Sequence, residues 1–173
     1  MNPFASAVSS FALPALVGLL VCSATGAQGF IDRADWKESA VPPPPVFDLN
    51  KLVTFKISAD SALVYGVDPA SITISKSDSL VRYVMVATSS SGATNIMYEA
   101  LRCATGEFKT YARYSAGAKW SLVQDPQWKS VFDTAQSRHA LRFARQGACD
   151  GGSPALTVQE IVSNLKSPEQ YKR

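Results

Sequence analysis

Four polar side chains on neighbouring predicted strands are the best candidates for chemistry in this sequence: Arg82, Glu99, Tyr111 and Arg113. Our predicted register brings them onto one face of a sheet, where diagonal neighbours lie within reach of long side chains. An arginine can hold the carboxylate through charge-assisted hydrogen bonds, and the tyrosine hydroxyl can donate another. The remaining arginine would suit a small anionic ligand. The alternative is an ion pair that only stabilises the sheet.

Signals for catalysis and for metal binding are weak. His139 is the only histidine, so a multi-histidine metal site is excluded, and no Asp, Glu or Cys stands at ligand spacing around it. The sequence has no nucleophile elbow, and Gly151-Gly152 lacks the lysine and the spacing of a phosphate-binding loop. We therefore predict no catalytic residue, no metal and no cofactor, and we interpret His139 as a packed or rim histidine. A hydrolase would instead need a cleft that holds His139 beside a carboxylate and a hydroxyl.

Three segments rich in β-branched and aromatic residues, at 80–87, 94–103 and 107–114, predict an antiparallel meander. Alternation along these strands gives the meander one apolar core face and one mixed face. The predicted core face carries Val81, Tyr83, Met85, Ile96, Tyr98, Ala100, Phe108, Ala112 and Tyr114. The other face carries Arg82, Val84, Met97, Glu99, Leu101, Lys109, Tyr111 and Arg113.

The two hairpin connections set this register. A pivot at Ser91-Gly92 places Val84 opposite Glu99. The connection at 104–106 ends in glycine, which suits a three-residue hairpin and places Glu99 opposite Tyr111. A shift of one residue in either hairpin would separate the four polar side chains.

Earlier segments at 52–57, 62–67 and 71–75 also predict strands, since they are short, rich in β-branched residues and separated by turn-forming residues. Asp68-Pro69 marks a turn between the second and the third. Because strands come first and helices follow, the predicted fold class is α+β, an antiparallel meander followed by two C-terminal helices, with one disulfide.

The C-terminal third predicts two helices. Asp125-Pro126 offers a cap followed by proline at the first helical position, and this helix should end before Gly147. Its buried stripe would hold Trp128, Phe132, Ala135, His139 and Phe143. A capping box at 157–160 begins the second helix, with Leu156 packed onto Ile161. The second buried stripe would hold Val158, Ile161, Val162 and Leu165.

Residues 1–27 contain no charged side chain and predict a cleaved signal peptide, with cleavage between Ala24 and Ala27. The apolar run at 11–22 is shorter than the roughly 20 residues that cross a bilayer. A lipid anchor at Cys22 is a less favoured alternative, because a valine precedes this cysteine where a small residue is usual. We therefore expect a periplasmic protein whose mature chain has no transmembrane segment.

Cys103 and Cys149 would remain after cleavage and predict one structural disulfide, because neither has the close partner that redox pairs use. Residues 28–50 include a run of prolines and predict a stiff extended arm. Residues 51–173 predict a single α+β domain. The formal net charge of +3 is modest, and we predict no nucleic-acid partner.

Several short elements carry a resemblance to a known family. They are Val81-Arg82-Tyr83, the Ser-Gly-Ala-Thr-Asn run at 91–95, Tyr98-Glu99, Leu101-Arg102-Cys103, Tyr111-Ala112, Trp120 and Trp128. Across the region from Trp36 to Leu165 the chain resembles the cryptic neisserial protein-like family, small exported bacterial envelope proteins, some of them lipoproteins, with no assigned function. The resemblance implies a periplasmic location and transfers no catalytic residue to this chain.

We predict an exported periplasmic or cell-envelope protein that acts as a non-enzymatic binding or accessory domain through its polar sheet face. Its partner would be an envelope protein or a small anionic ligand. The alternatives are an unrecognised periplasmic hydrolase and a structural envelope-assembly protein, which would need a broad exposed apolar patch. The packing side of the first helix separates these cases. A helix over Glu99 would bury the charges, whereas a helix over Tyr98 would leave them in water.

Overall fold

One antiparallel sheet organises the chain. The computed structural model describes residues 35–115, 117, 119–133 and 135–167, so the predicted signal peptide at 1–27 and Cys22 lie outside the described residues. The strands of this sheet are β1 (Val53–Phe55), β2 (Leu63–Val67), β3 (Thr73–Ile74), β4 (Leu80–Ser89), β5 (Thr94–Arg102), β6 (Glu107–Ser115), β7 (Lys119–Leu122) and β8 (Lys129–Ser130). Two further short strands, β9 (Cys149–Asp150) and β10 (Ser153–Pro154), pair with each other in a separate sheet. Their spatial order is β1-β2-β4-β5-β6-β7, with β3 against β4 and β8 against β6.

The predicted α+β fold class is confirmed, since this sheet is followed by two α-helices, α1 (Arg138–Phe143) and α2 (Val158–Lys166), in the described part of the chain. Each of the six predicted strands is present, with its ends within two residues of the prediction. The short strands β7 and β8 were not predicted. Both add to β6, the last strand of the predicted meander.

The hairpin between β4 and β5 differs from the prediction by one residue. Tyr83, and not Val84, lies opposite Glu99. The backbone N–H of Ser89 donates to the carbonyl of Ala93 and closes the loop between them. Gly92, at φ +83°, is therefore the third residue of a three-residue loop and not the second residue of a two-residue turn.

A β-bulge between β5 and β6 changes the second register. Tyr98 lies opposite Ala112, but the next residue, Glu99, lies opposite Thr110. Tyr111 is the extra residue of the bulge, and its side chain packs on the face that carries Tyr98. The predicted pairing of Glu99 with Tyr111 is therefore wrong, because a bulge inserts one unpaired residue into a strand.

Both faces of the sheet are buried, so the predicted single core face is wrong. The helix face, which α1 and α2 cover, includes Val81, Tyr83, Met85, Met97, Leu101 and Phe108. The arm face, which the segment before β1 covers, includes Leu80, Val84, Val86, Ile96, Tyr98, Ala100 and Ala112. Strands buried on both faces have near-continuous apolar sequences, so their alternation cannot show which side is the core.

The arm, residues 35–52, packs across the arm face. Its Trp36 ring meets the Trp128 ring edge-on, with 5.9 Å between centroids. The Arg102 guanidinium lies 3.8 Å from the centroid of Trp36, and the indole N–H donates to the Asp78 carbonyl at 2.9 Å. Phe47 packs edge-on against two aromatic rings of β6 and β7. The arm therefore contributes to the hydrophobic core.

The predicted helix after Asp125-Pro126 is wrong in its first half, because α1 begins only at Arg138. The preceding residues include β8, in which Lys129 lies opposite Phe108. Trp128 packs edge-on against Trp36 of the arm and does not share a stripe with the α1 residues. Strand pairing and aromatic packing thus outweigh a weak local helix preference. His139 and Phe143 are buried as predicted, whereas the predicted burial of Phe132 and Ala135 is wrong, since both are exposed.

The capping box of α2 is confirmed. Thr157 Oγ1 accepts a hydrogen bond from the Glu160 N–H, and the Glu160 carboxylate accepts one from the Leu156 N–H. Ile161 and Leu165 are buried as predicted. The predicted packing of Leu156 onto Ile161 is wrong, since the Leu156 side chain is 90% exposed.

The predicted disulfide is present. Cys103 follows β5, Cys149 follows α1 and a single π-helical turn (Ala144–Ala148), and their Cα atoms are 5.6 Å apart. We call residues 135–148, which contain α1 and the short turns on either side of it, the α1 segment. The disulfide fixes the C-terminal end of this segment to the sheet. Within the described residues, no helix has the length and hydrophobicity needed to span a bilayer.

Candidate functional site

The four predicted site residues lie on two faces of the sheet. Arg82 and Tyr111 lie on the arm face, whereas Glu99 and Arg113 lie on the helix face. The register of the β4–β5 hairpin and the bulge in β6 account for this separation. The predicted single patch is therefore divided into two polar groups with different surroundings.

On the arm face, Arg82 forms an ion pair with Asp78 at 2.7 Å, and both side chains are almost fully buried. Burial alone would raise the pKa of the Asp78 carboxyl, but hydrogen bonds from Arg82 and Ser39 hold it well below its usual range. The Tyr111 hydroxyl donates to Glu38, which also forms an ion pair with Lys109 at 2.6 Å. This group therefore fastens the arm to the sheet.

On the helix face, a cleft of about 1050 Å³ opens between the sheet and the segment that leads into α1. Its lining includes Tyr65, Asn95, Met97, Thr110, Arg113, Trp128 and Gln136, together with the buried side chains of Glu99 and His139. The cleft is the size of a small-molecule site and combines apolar walls with a few convergent polar groups.

Glu99 and His139 form a buried pair beside this cleft. The His139 Nε2 lies 2.9 Å from a carboxylate oxygen of Glu99, and its Nδ1 lies 2.9 Å from the Gln136 carbonyl oxygen. The imidazole stacks on the Tyr65 ring and meets the Phe108 ring edge-on. The helical segment therefore covers Glu99, the outcome in which the charges are buried.

The geometry shows that Glu99 and His139 share one proton at Nε2, in addition to the hydrogen on Nδ1. A carbonyl oxygen only accepts hydrogen bonds, so Nδ1 must carry the hydrogen of its contact with Gln136. An ionised carboxylate also only accepts, so the contact at Nε2 needs a second hydrogen, either on the imidazole of His139 or on the carboxyl of Glu99. In both arrangements the pair carries no net charge.

The pKa of His139 shifts upward for a related reason. Burial lowers it, but the charge of Glu99 and the hydrogen bond to Glu99 raise it more, and the bond to Gln136 adds to this rise. The positive charge of Arg113 acts in the opposite direction. The folded protein thus binds the imidazole proton more tightly than an exposed histidine does.

The bulge in β6 completes the surroundings of Glu99. It places Thr110 opposite Glu99, and the Thr110 hydroxyl donates to the second carboxylate oxygen at 2.9 Å. Tyr83 lies opposite Glu99 on the other side, fully buried, and its hydroxyl has no hydrogen-bond partner among the described residues. Burial and then the charge of Glu99 raise the pKa of Tyr83 well above its usual value.

Arg113 is a cationic side chain on the cleft wall, which also includes Lys129 and the carboxylates Glu107 and Asp133. Arg113 is exposed, its guanidinium donates to the amide oxygen of Asn95 at 3.5 Å, and no carboxylate of the described residues forms an ion pair with it. Arg82, in contrast, is buried and forms an ion pair with Asp78. Arg113 is therefore the arginine left for an anion.

The arrangement does not fit a hydrolytic triad. In such a triad one imidazole nitrogen accepts the proton of the nucleophile while the other is held by the acid. Both nitrogens of His139 are already engaged, and the nearby Thr110 hydroxyl donates to Glu99 and not to the imidazole. Among the residues described, no three of the His, Cys, Asp and Glu side chains group as metal ligands.

Sequence reasoning missed the partners that give these residues their settings: Asp78, Glu38, Thr110 and Tyr65. One signal was available for Glu99, because it interrupts the apolar run of β5 and a carboxylate in such a position needs a buried partner. The only histidine of the chain was the natural candidate. The bulge that brings Thr110 to Glu99 has no clear signal in the sequence.

The described chain is thus an α+β domain in which an N-terminal arm and C-terminal helices cover opposite faces of one antiparallel sheet. It belongs to the CNP1-like family, which matches residues 31–166 and therefore most of the chain. This confirms the resemblance found in the sequence. No curated protein and no solved structure matches the chain.

Proposed function

We propose that this protein is an exported periplasmic or cell-envelope protein that acts as a non-enzymatic binding domain, and that its ligand occupies the cleft on the helix face. Export is supported by the uncharged leader at 1–27 and by the envelope character that the family resemblance implies. The pairing of Cys103 with Cys149 fits an oxidising compartment, where disulfides persist.

The observation that carries the binding proposal is the position of Arg113. Its guanidinium lies on the cleft wall without a carboxylate partner among the described residues, so it can hold a carboxylate, sulfate or phosphate group of a ligand. Tyr65, Met97 and Trp128 supply apolar surface for the rest of that ligand. The proposed ligand is therefore a small molecule with an anionic group and an apolar or aromatic body.

Binding is favoured over hydrolysis because the polar groups beside the cleft are already satisfied by one another. His139 has no free nitrogen to accept a proton, and Thr110 is held by Glu99. Such a pair shapes and stabilises a site but does not activate a nucleophile. A hydrolase would need His139 to leave Glu99 or Gln136 first.

The proposal is tested by titrating the oxidised protein with sodium sulfate and, separately, with benzoate, and by following backbone amide shifts by NMR. We expect saturable shifts for residues of the cleft and not for those of the arm face. Arg113→Gln should weaken binding of either anion at least about tenfold, because a hydrogen bond to a charged group is worth about 1.5–3 kcal/mol. Arg138→Gln, at an exposed arginine of α1 outside the cleft lining, should leave the affinity unchanged.

Equal binding by the Arg113→Gln and unaltered proteins would contradict the assignment of the site, and so would shifts centred on the arm. The location is tested separately by cell fractionation and by thiol alkylation. Recovery of the protein outside the cytosol with both Cys103 and Cys149 as free thiols would contradict an oxidised envelope protein. A Cys22→Ala variant that is released and sized as the unaltered protein would show that no lipid is attached there.

A further inference from the structure

We propose that the proton shared by Glu99 and His139 holds the first turn of α1 on the sheet, and that loss of this proton opens the cleft at that end. This inference deepens the proposed function, because it adds control by pH to the same site. The opening itself does not depend on what the cleft binds.

The two ends of the α1 segment are held by different forces. At its start, the polar contact between His139 and Glu99 joins the helix to the sheet. At its end, Phe143 packs on Tyr83, with 4.4 Å between ring centroids, and the disulfide of Cys149 follows shortly after. Loss of the polar contact would therefore free the first turn while the far end stays in place.

The groups that face His139 come from four strands and from its own segment. Glu99 of β5 attracts its positive charge, and Arg113 of β6 opposes it. Tyr65 of β2 and Phe108 of β6 contact the ring through their aromatic surfaces. Tyr83 of β4 lies opposite Glu99 with an unpartnered hydroxyl, and the Gln136 carbonyl holds Nδ1.

When the shared proton leaves, the neutral imidazole keeps one hydrogen for two acceptors that each lie 2.9 Å from a ring nitrogen, the Glu99 carboxylate and the Gln136 carbonyl. With that hydrogen on Nδ1, the Glu99 carboxylate keeps the hydrogen bond from Thr110 but faces the lone pair of Nε2; with it on Nε2, the Gln136 carbonyl faces the lone pair of Nδ1. Either arrangement leaves two lone pairs facing each other at the start of α1, which is costly in a buried site. Outward movement of the first turn of α1 admits water to these groups. Both members of the pair line the cleft, so the same movement enlarges it.

The arrangement makes Glu99→Gln an informative variant. A glutamine side chain has nearly the same shape, and its amide can donate to the Nε2 of a neutral imidazole while Nδ1 still donates to Gln136. The contact then needs no titrating proton. The variant should keep α1 closed at every pH at which the protein is folded.

The test uses the whole oxidised protein, in which His139 is the only histidine, so its imidazole signals need no assignment. Imidazole nitrogen shifts report the proton, and amide exchange, corrected for its intrinsic pH dependence, reports the opening of α1. We expect the protection of α1 to fall about tenfold per pH unit from about pH 6.5 up to the pKa of the closed pair. The protection of α2 should stay constant, and Glu99→Gln should remove the fall in α1.

Two results would overturn the inference. One is an imidazole that titrates at about pH 6.5 or below as an exposed histidine does. The other is α1 protection that is independent of pH, or that falls equally in Glu99→Gln. Sulfate binding and its dependence on Arg113 are measured separately, and this distinguishes the two proposals. If α1 opens with rising pH but sulfate does not bind, the proton-controlled contact is retained and the ligand site is rejected. The reverse result rejects only the contact.

Discussion

Arg82 and Glu99 lie on adjacent strands, but their side chains point to opposite faces of the sheet and each pairs with a residue outside those strands. Arg82 pairs with Asp78, which also accepts hydrogen bonds from Ser39 of the arm, and Glu99 pairs with His139 in the first turn of α1. Each buried charge therefore joins the sheet to one of the two segments that cover it.

The first prediction concerns pH and stability. The pKa of His139 is raised in the folded protein, so the pair's contribution to stability is complete below about pH 6.5 and is lost as pH rises through the folded pKa. Each unit of the rise is worth about 1.4 kcal/mol. Urea unfolding at a series of pH values should show the decline. A flat profile between about pH 6 and about pH 9 would contradict it, and Glu99→Gln is the matched control.

The second prediction concerns the attachment of the arm. Arg82→Met leaves the Asp78 carboxylate buried with its remaining hydrogen bonds from Ser39, and it should lower the free energy of unfolding by about 3–5 kcal/mol. The double variant Asp78→Ala/Arg82→Met should lose less than the sum of the single losses. Lys51→Ala removes an exposed ion pair and should cost less than about 1 kcal/mol. Equal losses for Arg82→Met and Lys51→Ala would show that burial of the pair does not matter.

The third prediction concerns the disulfide. Its cysteines are separated by 46 residues, and a loop of that length corresponds to a stabilisation of about 4 kcal/mol in the chain-entropy account. The Cys103→Ala/Cys149→Ala protein should show this loss in urea unfolding. Reduction of the unaltered protein should produce a similar loss, whereas reductant should not affect the double variant. Stability that is unchanged by both treatments would contradict the prediction.

The fourth prediction concerns the close approach of α2 to the turn after α1. Gly147 has φ +120°, and a Cβ added there would lie 2.5 Å from the Cβ of Asn164. Gly147→Ala should therefore cost about 2–5 kcal/mol, from backbone strain and overpacking together. Gly151→Ala meets open space at φ +56° and should cost only the strain, about 1–2 kcal/mol. The two values are compared by thermal or urea unfolding, and equal values would exclude the steric contribution.

Much of the secondary structure could be predicted from local chemistry. The strands of the meander are rich in β-branched and aromatic residues, and the α2 capping box needs only Thr157 and Glu160 at the correct spacing. The disulfide followed from the two cysteines left after the predicted leader. These features depend on residues close in sequence or on simple elimination.

The candidate site could not be predicted because it depends on one-residue details. Gly92 at the third loop position shifts β4 against β5 by one residue, and a shift of one residue moves side chains to the other face. The bulge at Tyr111 then moves Thr110 to Glu99. The position of His139 also depends on where α1 begins. The strand pairing of β8 decides this start, and helix preference does not.

The coverage of the sheet from both ends of the chain has a consequence for folding during synthesis. β4 is buried on one face by residues that precede β1, and on the other face it belongs to the core cluster that contains Phe143 and Ile161. A nascent chain that has not yet released α2 from the ribosome exposes a broad apolar surface on its central strands. Productive folding therefore needs both α1 and α2, and fragments that end before residue 143 should aggregate and not form a smaller stable domain.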